Sequence, residues 1–226
     1  MKRRVPCVAT MLALAGAMAA GPGAMAQSAG QWTLKAGVNQ VTPKVDSGDV
    51  SPPSLPGTKA AAGGDTKPVF IVTVGLSDHV SAELALGAPY RHALYGAGSI
   101  AGAGQLGTVD VLAPTGLIQY RFFAPQARLR PYLGLGLSHV SFQKETGNGR
   151  VTALTNTGGP STTFSIDAKA AGTLQAGIAF SIGARWFADL AVAKTFLRTR
   201  VHYSTGQTQD MRMDPESVCI GIGYRF

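Results

Sequence analysis

The sequence predicts an all-β fold, an eight-stranded antiparallel up-and-down transmembrane β-barrel with four long extracellular loops and short periplasmic turns. Three observations predict it. Eight segments alternate apolar residues with small or polar ones at a period of two. The connections between these segments are long and short in strict turn. Beyond the N-terminal leader no apolar run reaches the roughly 18 residues of a transmembrane helix, so a membrane is crossed by strands or not at all.

The leader comes first. Lys2, Arg3 and Arg4 are basic, residues 8–20 are apolar, and Ala24-Met25-Ala26 is a small-x-small cleavage site before Gln27. Residues 1–26 therefore read as a secretory signal peptide that is removed, and residues 27–226 as the barrel. A membrane anchor is the other reading, opposed by the short apolar run and by Gly21-Pro22-Gly23. Cys7 lies inside the leader, far before the cleavage site, and does not read as a lipid-modified cysteine. Cys219 is then the single remaining cysteine, so no internal disulfide is expected.

Composition narrows the class. The 226 residues carry a formal charge of +8, only 14% charged residues and 29 glycines. Disordered chains need more charge and fewer apolar residues. Helical bundles do not tolerate so much glycine in their interiors.

The strands follow in order. Trp32, Leu34, Ala36 and Val38 alternate with Thr33, Lys35, Gly37 and Asn39. Phe70, Val72, Val74 and Leu76 alternate with Val69, Ile71, Thr73 and Gly75. Val80, Ala82, Leu84, Leu86 and Ala88 alternate with Ser81, Glu83, Ala85 and Gly87. Gly116, Ile118, Tyr120 and Phe122 alternate with Thr115, Leu117, Gln119 and Arg121. Leu133, Leu135 and Leu137 oppose Tyr132, Gly134, Gly136 and Ser138. Leu174, Ala176, Ile178 and Phe180 oppose Thr173, Gln175, Gly177 and Ala179. Ala188, Leu190 and Val192 oppose Asp189, Ala191 and Ala193. Val218, Ile220, Ile222, Tyr224 and Phe226 oppose Ser217, Cys219, Gly221, Gly223 and Arg225.

Alternation alone does not separate a soluble sandwich from a membrane barrel; the connections do. The long ones span about 41–67, 89–111, 143–163 and 198–214. The short ones are Ser77-Asp78-His79, Ala124-Pro125-Gln126-Ala127 and Gly183-Ala184-Arg185. An up-and-down barrel gives this rhythm, and Greek-key connections do not. An even strand number puts both termini on the periplasmic side, and closure removes exposed sheet edges. Aromatics near strand ends, among them Trp32, Tyr120, Phe122, Trp186, Tyr224 and Phe226, suit interfacial girdles.

Several motifs then point to one family. The terminal Gly221-Ile222-Gly223-Tyr224-Arg225-Phe226 resembles the C-terminal assembly signal of outer-membrane barrels, carried by Gly221, Tyr224 and Phe226. Pro114-Thr115-Gly116-Leu117-Ile118-Gln119-Tyr120-Arg121-Phe122 resembles the P-T-x-x-x-Q-Y-x-F strand of the outer membrane protein W (OmpW) family. Arg130-Pro131-Tyr132-Leu133-Gly134-Leu135-Gly136 resembles its R-P-Y-x-G-x-G strand, and Ala88-Pro89-Tyr90-Arg91-His92 its aromatic, His-containing segment. Gln175-Ala176-Gly177 and Trp186-Phe187 fit its sixth and seventh strands, and the order agrees over roughly 30–226. The Pro- and Gly-rich stretch 52–64 and the Gly- and Ala-rich stretch 96–107 depart from it. The resemblance implies a bacterial outer-membrane barrel with a narrow, partly hydrophobic lumen. It also implies passive uptake of small hydrophobic molecules and their sideways release into the bilayer, an outline shared with the alkane-import protein AlkL. The implied partners are outer-membrane lipid and lipopolysaccharide, the hydrophobic solutes, and the barrel-assembly machinery during biogenesis.

Within this frame, Val69, Ile71, Thr73, Thr115, Leu117 and Gln119 are expected to line the lumen, with simple core filling as the plainer role. Pro89 and Pro114, near the outer ends of the third and fourth strands, each lack an N–H and are expected to weaken a lateral seam. The plainer role is strand termination. Lys35, Glu83, Arg121 and Asp189 fall on inward faces toward the periplasmic half and are expected to form an electrostatic plug, unless solvated at the mouth.

Other functions find less support in the residues. His139-Val140-Ser141, with Glu145 nearby, has the His-x-Ser spacing of lipid A deacylases, but the pair is short and an enzyme is not expected. Loops of 17 to 27 residues, carrying Lys144, Arg150, Arg198, Arg200 and Arg212, also suit a surface receptor or adhesin. The four histidines show no metal spacing, stretch 96–104 is no phosphate loop, and no basic patch suits nucleic acid. No cofactor is expected.

Overall fold

The computed structural model of the chain describes residues 29–155 and 158–226. The expected leader, 1–26, lies outside the described residues. In chain order the elements begin with β1 (Trp32–Thr42), β2 (Asp46–Ser47), β3 (Thr58–Ala62), β4 (Asp65–Gly75) and β5 (Val80–Gly87). Then come β6 (Tyr90–Gly98), β7 (Gln105–Leu112), β8 (Thr115–Arg121), β9 (Leu129–Gly147) and the helix α1 (Gly149–Thr155). The last are β10 (Phe164–Ile166), β11 (Lys169–Ser181), β12 (Trp186–Phe196), β13 (Arg198–Tyr203), β14 (Thr208–Arg212) and β15 (Glu216–Arg225).

Eight of these strands close a barrel in sequence order. β1, β4, β5, β8, β9, β11, β12 and β15 pair antiparallel with their neighbours. β1 then pairs with β15 from Thr33↔Arg225 to Thr42↔Glu216. These are the eight strands the alternation predicts. The apolar face points out: Leu34, Phe70, Ile118, Leu135, Leu174, Ile220 and Ile222 are exposed, while Thr33, Lys35, Thr73, Gln119 and Asp189 are buried. Only a hydrocarbon solvent accommodates that arrangement. Trp186, Tyr224 and Phe226 pack edge-on at the periplasmic rim, with ring centroids 5.0 and 5.1 Å apart.

The four long connections lie where the rhythm predicts, and they are built of further secondary structure. They carry β2 and β3, then β6 and β7, then the outer half of β9 with α1 and β10, and finally β13 and β14. The outer half of β9 joins β7, β6 and β3, while β10, β13, β14 and β2 form a separate four-stranded sheet. Together they extend the wall beyond the membrane as a cap. Its interior is apolar, built on Val109, Val140, Phe164, Ile166, Leu197, Val201, Met211 and Met213. Asn148 caps α1 from just before its first residue, its Oδ1 accepting the Arg150 N–H at 3.0 Å.

The reason the sequence hides this cap is visible along β12 and β13. Outward positions run Leu190, Val192, Lys194, Phe196, Arg198, Arg200 and His202, and inward ones Ala191, Ala193, Thr195, Leu197, Thr199 and Val201. The pleat keeps its phase while the polarity of the two faces changes over. Inside the membrane the outer face is apolar; above it the outer face meets water and the inner face is a core.

Candidate functional site

The inward faces build a lumen in two storeys. The upper one is a cavity of about 130 Å³. Val69, Ile71, Ala85, Leu117, Ala191 and Cys219 give it an apolar wall. Hydroxyls on β8, β9, β11 and β12 satisfy one another around it. Thr115 Oγ1 lies 2.7 Å from Ser138 Oγ, Ser138 Oγ 2.7 Å from Thr173 Oγ1, and Thr173 Oγ1 2.9 Å from Thr195 Oγ1. A wall whose hydroxyls bond sideways has little demand left for water. Asn39 stands at the upper edge; its amide donates to Tyr90 Oη at 2.8 Å, and its Oδ1 is buried without a protein partner.

The lower storey is a charged floor. Lys35 Nζ lies 2.6 Å from Asp189 Oδ1 and 3.8 Å from Glu83 Oε2, and all three side chains are at most 4% exposed. Tyr132 Oη donates to both Asp189 oxygens, at 3.0 and 3.1 Å. Glu83 accepts from Thr73 Oγ1 at 3.3 Å and from Gln175 Nε2 at 3.1 Å. Gln119 Nε2 donates to Gln175 Oε1 at 2.7 Å, and Arg121 donates to Gln119 Oε1 at 2.7 Å and to Ser81 Oγ at 3.0 Å. The Arg121 guanidinium also lies 4.9 Å from the Tyr132 ring centre. Residues from seven strands thus cross the bore as one network. Gly177 makes room for it, because a Cβ there would collide with the Tyr132 ring. Below the floor, Arg225 donates to Ser181 Oγ at 2.9 Å and lies over Phe187, and Arg130 donates to the Asp78 carbonyl at 2.6 Å.

The expected residues therefore separate into two groups. Val69, Ile71, Thr115 and Leu117 line the cavity. Thr73 and Gln119 belong to the floor below it. Lys35, Glu83 and Asp189 come together, and Arg121 joins them through Gln119 and Tyr132. Tyr132, Gln175 and Ser81 are floor members beyond the residues the sequence singles out. Their inward parity on β9, β11 and β5 was the available signal.

Pro89 and Pro114 flank an interruption in the wall. β5 pairs with β8 only as far as Ala85↔Thr115, and pairing resumes at Tyr90↔Val111 between β6 and β7. Pro114 keeps its other neighbour, since its carbonyl accepts the His139 N–H at 3.0 Å. Gly87, Tyr90, Val111, Ala113 and Thr115, which border the interruption, also line the cavity. Outside, Leu84 and Leu86 face lipid.

Above the membrane, His92 is buried and its Nδ1 lies 2.7 Å from the Gly63 carbonyl. Burial pushes its pKa below the usual histidine value. Burial likewise raises the Tyr203 phenol to about 12. The hydrogen bond from Arg91, at 2.9 Å, holds Asp110 below the usual carboxylate range. In the His-x-Ser segment, His139 faces outward, Ser141 donates to the Leu112 carbonyl at 3.4 Å, and Glu145 accepts the Ile166 N–H at 3.4 Å. Among the described residues no group of three or more His, Cys, Asp or Glu is placed to hold a metal ion.

A closed eight-stranded barrel with an apolar outer band, aromatic rim and polar floor is an integral outer-membrane β-barrel. The family model described as "OmpW family" matches residues 28–226, and the chain belongs to that family. Outer membrane protein W of Vibrio cholerae is 26% identical over 221 residues, covering 95% of this chain and 97% of that protein. Outer membrane protein AlkL of Ectopseudomonas oleovorans is 26% identical over 202 residues, covering 87% and 83%. Among solved structures, OprG from Pseudomonas aeruginosa superposes with a TM-score of 0.80 at 23% identity, covering 90% of this chain and 99% of that one. The structure of AlkL in lipid bilayers gives 0.65 at 23% identity, covering 100% and 97%. These two structures share the fold.

Proposed function

We propose that this barrel is a passive route for small hydrophobic molecules, which enter through the cap, occupy the upper lumen and leave sideways between β5 and β8. The observation that carries the proposal is a cavity with an apolar wall, a charged floor below it and a break in strand pairing beside it between β5 and β8. An apolar cavity of roughly 150 Å³ holds a benzene ring, so about 130 Å³ suits a small aromatic or a bent alkyl segment. Such a solute gains nothing from the buried charges below, whereas the side exit leads to hydrocarbon. An ion meets the reverse preference and is stopped by partners that already satisfy one another.

Uptake of short alkanes or small aromatics by cells with and without the protein tests this, alongside single-channel conductance of the purified barrel. The expected result is faster uptake with little conductance. Conductance without faster uptake makes the protein a small porin instead. Neither activity in a folded barrel refutes transport and turns attention to the cap as a receptor surface.

A further inference from the structure

The outer face of the β10-β13-β14-β2 sheet carries a cleft of about 640 Å³ lined by Lys169, Arg198, Arg200, His202 and Arg212, with Asp46, Asp167 and Asp210 among them. Most of these charges have partners. Arg200 binds Asp210 at 2.6 Å, Arg212 binds Asp214 at 2.9 Å, and Lys169 and His202 approach Asp167 at 3.5 and 3.4 Å. Just below, Lys44 and Lys194 share Glu216 at 3.6 and 3.4 Å. Arg198 is the exception: among the described residues it has no acidic partner within 4 Å. Its cross-strand neighbour is another cation, Arg212, in register. Like charges directly opposite each other in an antiparallel pair are destabilising unless something anionic lies between them.

The height of Arg198 says what that anion is. With a rise of about 3.4 Å per residue and a tilt near 40°, a strand climbs roughly 2.6 Å per residue along the membrane normal. From the rim residue Trp186 to Phe196, both exposed, the wall climbs about 26 Å, close to the ~25 Å of an outer-membrane apolar band. Arg198 lies about 5 Å higher. That is the level of lipid headgroups, and a guanidinium is a good partner for a phosphate.

We propose that Arg198, with Arg212 beside it, binds the phosphomonoester headgroup of an outer-leaflet glycolipid of the lipopolysaccharide type. The lipid rather than free phosphate is the occupant because the cleft stands directly above lipid-facing Leu190, Val192 and Phe196, which take the acyl chains. The site is independent of the transport route, since it lies on the opposite face of the wall.

Native mass spectrometry of the detergent-purified barrel tests it, with bisphosphorylated lipid A, dephosphorylated lipid A and inorganic phosphate as probes. At about fivefold per basic side chain at an anionic lipid surface, R198Q is expected to weaken lipid A binding about fivefold, and R198Q/R212Q by no more than about twofold further, because Arg212 already has Asp214. Dephosphorylated lipid A should not distinguish the variants. R200Q, whose parent arginine already has Asp210, should stay within about twofold of the wild type. Equal binding by R198Q and wild type overturns the proposal. So does an R200Q loss as large as that of R198Q, which would mean a diffuse field without a site. Inorganic phosphate binding as tightly as lipid A assigns the site to a free anion and overturns the lipid reading. Heat-modifiable migration in gels confirms folding, and R198Q alone decides the matter if the double variant does not fold.

Discussion

Removing Lys35 alone should damage the barrel more than removing Lys35 together with Asp189. Lys35→Met deletes the one cation that faces both Asp189, at 2.6 Å, and Glu83, at 3.8 Å. At an effective dielectric of about 20 each contact is worth roughly 4–6 kcal/mol before desolvation. Burying the ammonium offsets part of that, and breaking such a pair by removing one partner costs about 3–5 kcal/mol in measured cases. Proton uptake sets a ceiling. Keeping an acid of ordinary pKa about 4.3 protonated costs about 3.7 kcal/mol at pH 7, and a carboxylate left without its cation can take that route. The expected loss is therefore about 3–4 kcal/mol at pH 7.

The same reasoning gives a sign and a pH window. Protonation near pH 5 costs only about 1 kcal/mol, so the deficit of K35M relative to wild type should shrink by roughly 2.7 kcal/mol between pH 7 and pH 5. K35M/D189N removes the 2.6 Å pair whole, leaves Glu83 to balance the buried Arg121, and should unfold within about 1 kcal/mol of the wild type, because replacing a whole buried pair is often neutral. Urea unfolding in lipid vesicles measures all three. Trp32 and Trp186 report it, since both face lipid and both enter water on unfolding. A K35M midpoint equal to the wild type, or a K35M/D189N variant less stable than K35M, refutes the reasoning.

Four further outcomes follow from the same geometry. K35M/E83Q/D189N should raise single-channel ion conductance in planar bilayers, and unchanged conductance counts against a plug. Replacing Pro89 and Pro114 together by threonine supplies two N–H donors at the interrupted seam and should slow hydrophobic uptake, whereas full uptake by the folded double variant sinks the lateral route. His92 has a pKa lowered by burial, so its neutral form is the one that fits. Its contribution is complete above about pH 6.5 and is lost as pH falls below that value toward the lowered folded pKa. Hydrogen-exchange protection factors of residues 58–63 and 90–98, taken relative to the intrinsic rate at each pH, should accordingly fall from pH 7.5 to 5.5 in the wild type, and by less in H92Q. Gly177→Val should displace Tyr132 from Asp189 and lower the stability by about 1–3 kcal/mol, the usual cost of overpacking, read as a lower urea midpoint; an unshifted midpoint refutes that packing argument.

The barrel was legible because lipid writes a strong pattern. Leu133, Leu135 and Leu137 on β9, or Val218, Ile220 and Ile222 on β15, have one apolar solvent on one side and a crowded bore on the other. The floor charges were legible for the same reason: Lys35, Glu83, Arg121 and Asp189 share the parity of the inner face. What joins them was not. Tyr132 reaches Asp189 across the bore at a sequence separation of 57, and Gln175 reaches Glu83 at a separation of 92. Parity names the face of a side chain but not its height. Height separated Thr73 and Gln119, which serve the floor, from Thr115 and Leu117, which serve the cavity. The cap was hidden for another reason. Arg198, Arg200 and Arg212 read as loop charges when they are the outer face of regular strands.

The exchange of polarity at the membrane surface also bears on transport. On the outer face the wall passes from Val192 through Phe196 to Arg198, apolar to charged. On the inner face it passes from Ala191 and Ala193 through Thr195 to Leu197 and Val201, which stays largely apolar. An incoming hydrophobic molecule that enters the cap core therefore meets no charged collar on its way to the lumen. The first obligatory charges are those of the floor, beneath the interruption between β5 and β8. A route that were axial would need the charges elsewhere or the floor mobile. A route that were lateral needs them where they are, below the exit, so that the favourable direction for an apolar solute changes from downward to sideways at the height where the wall has lost its pairing.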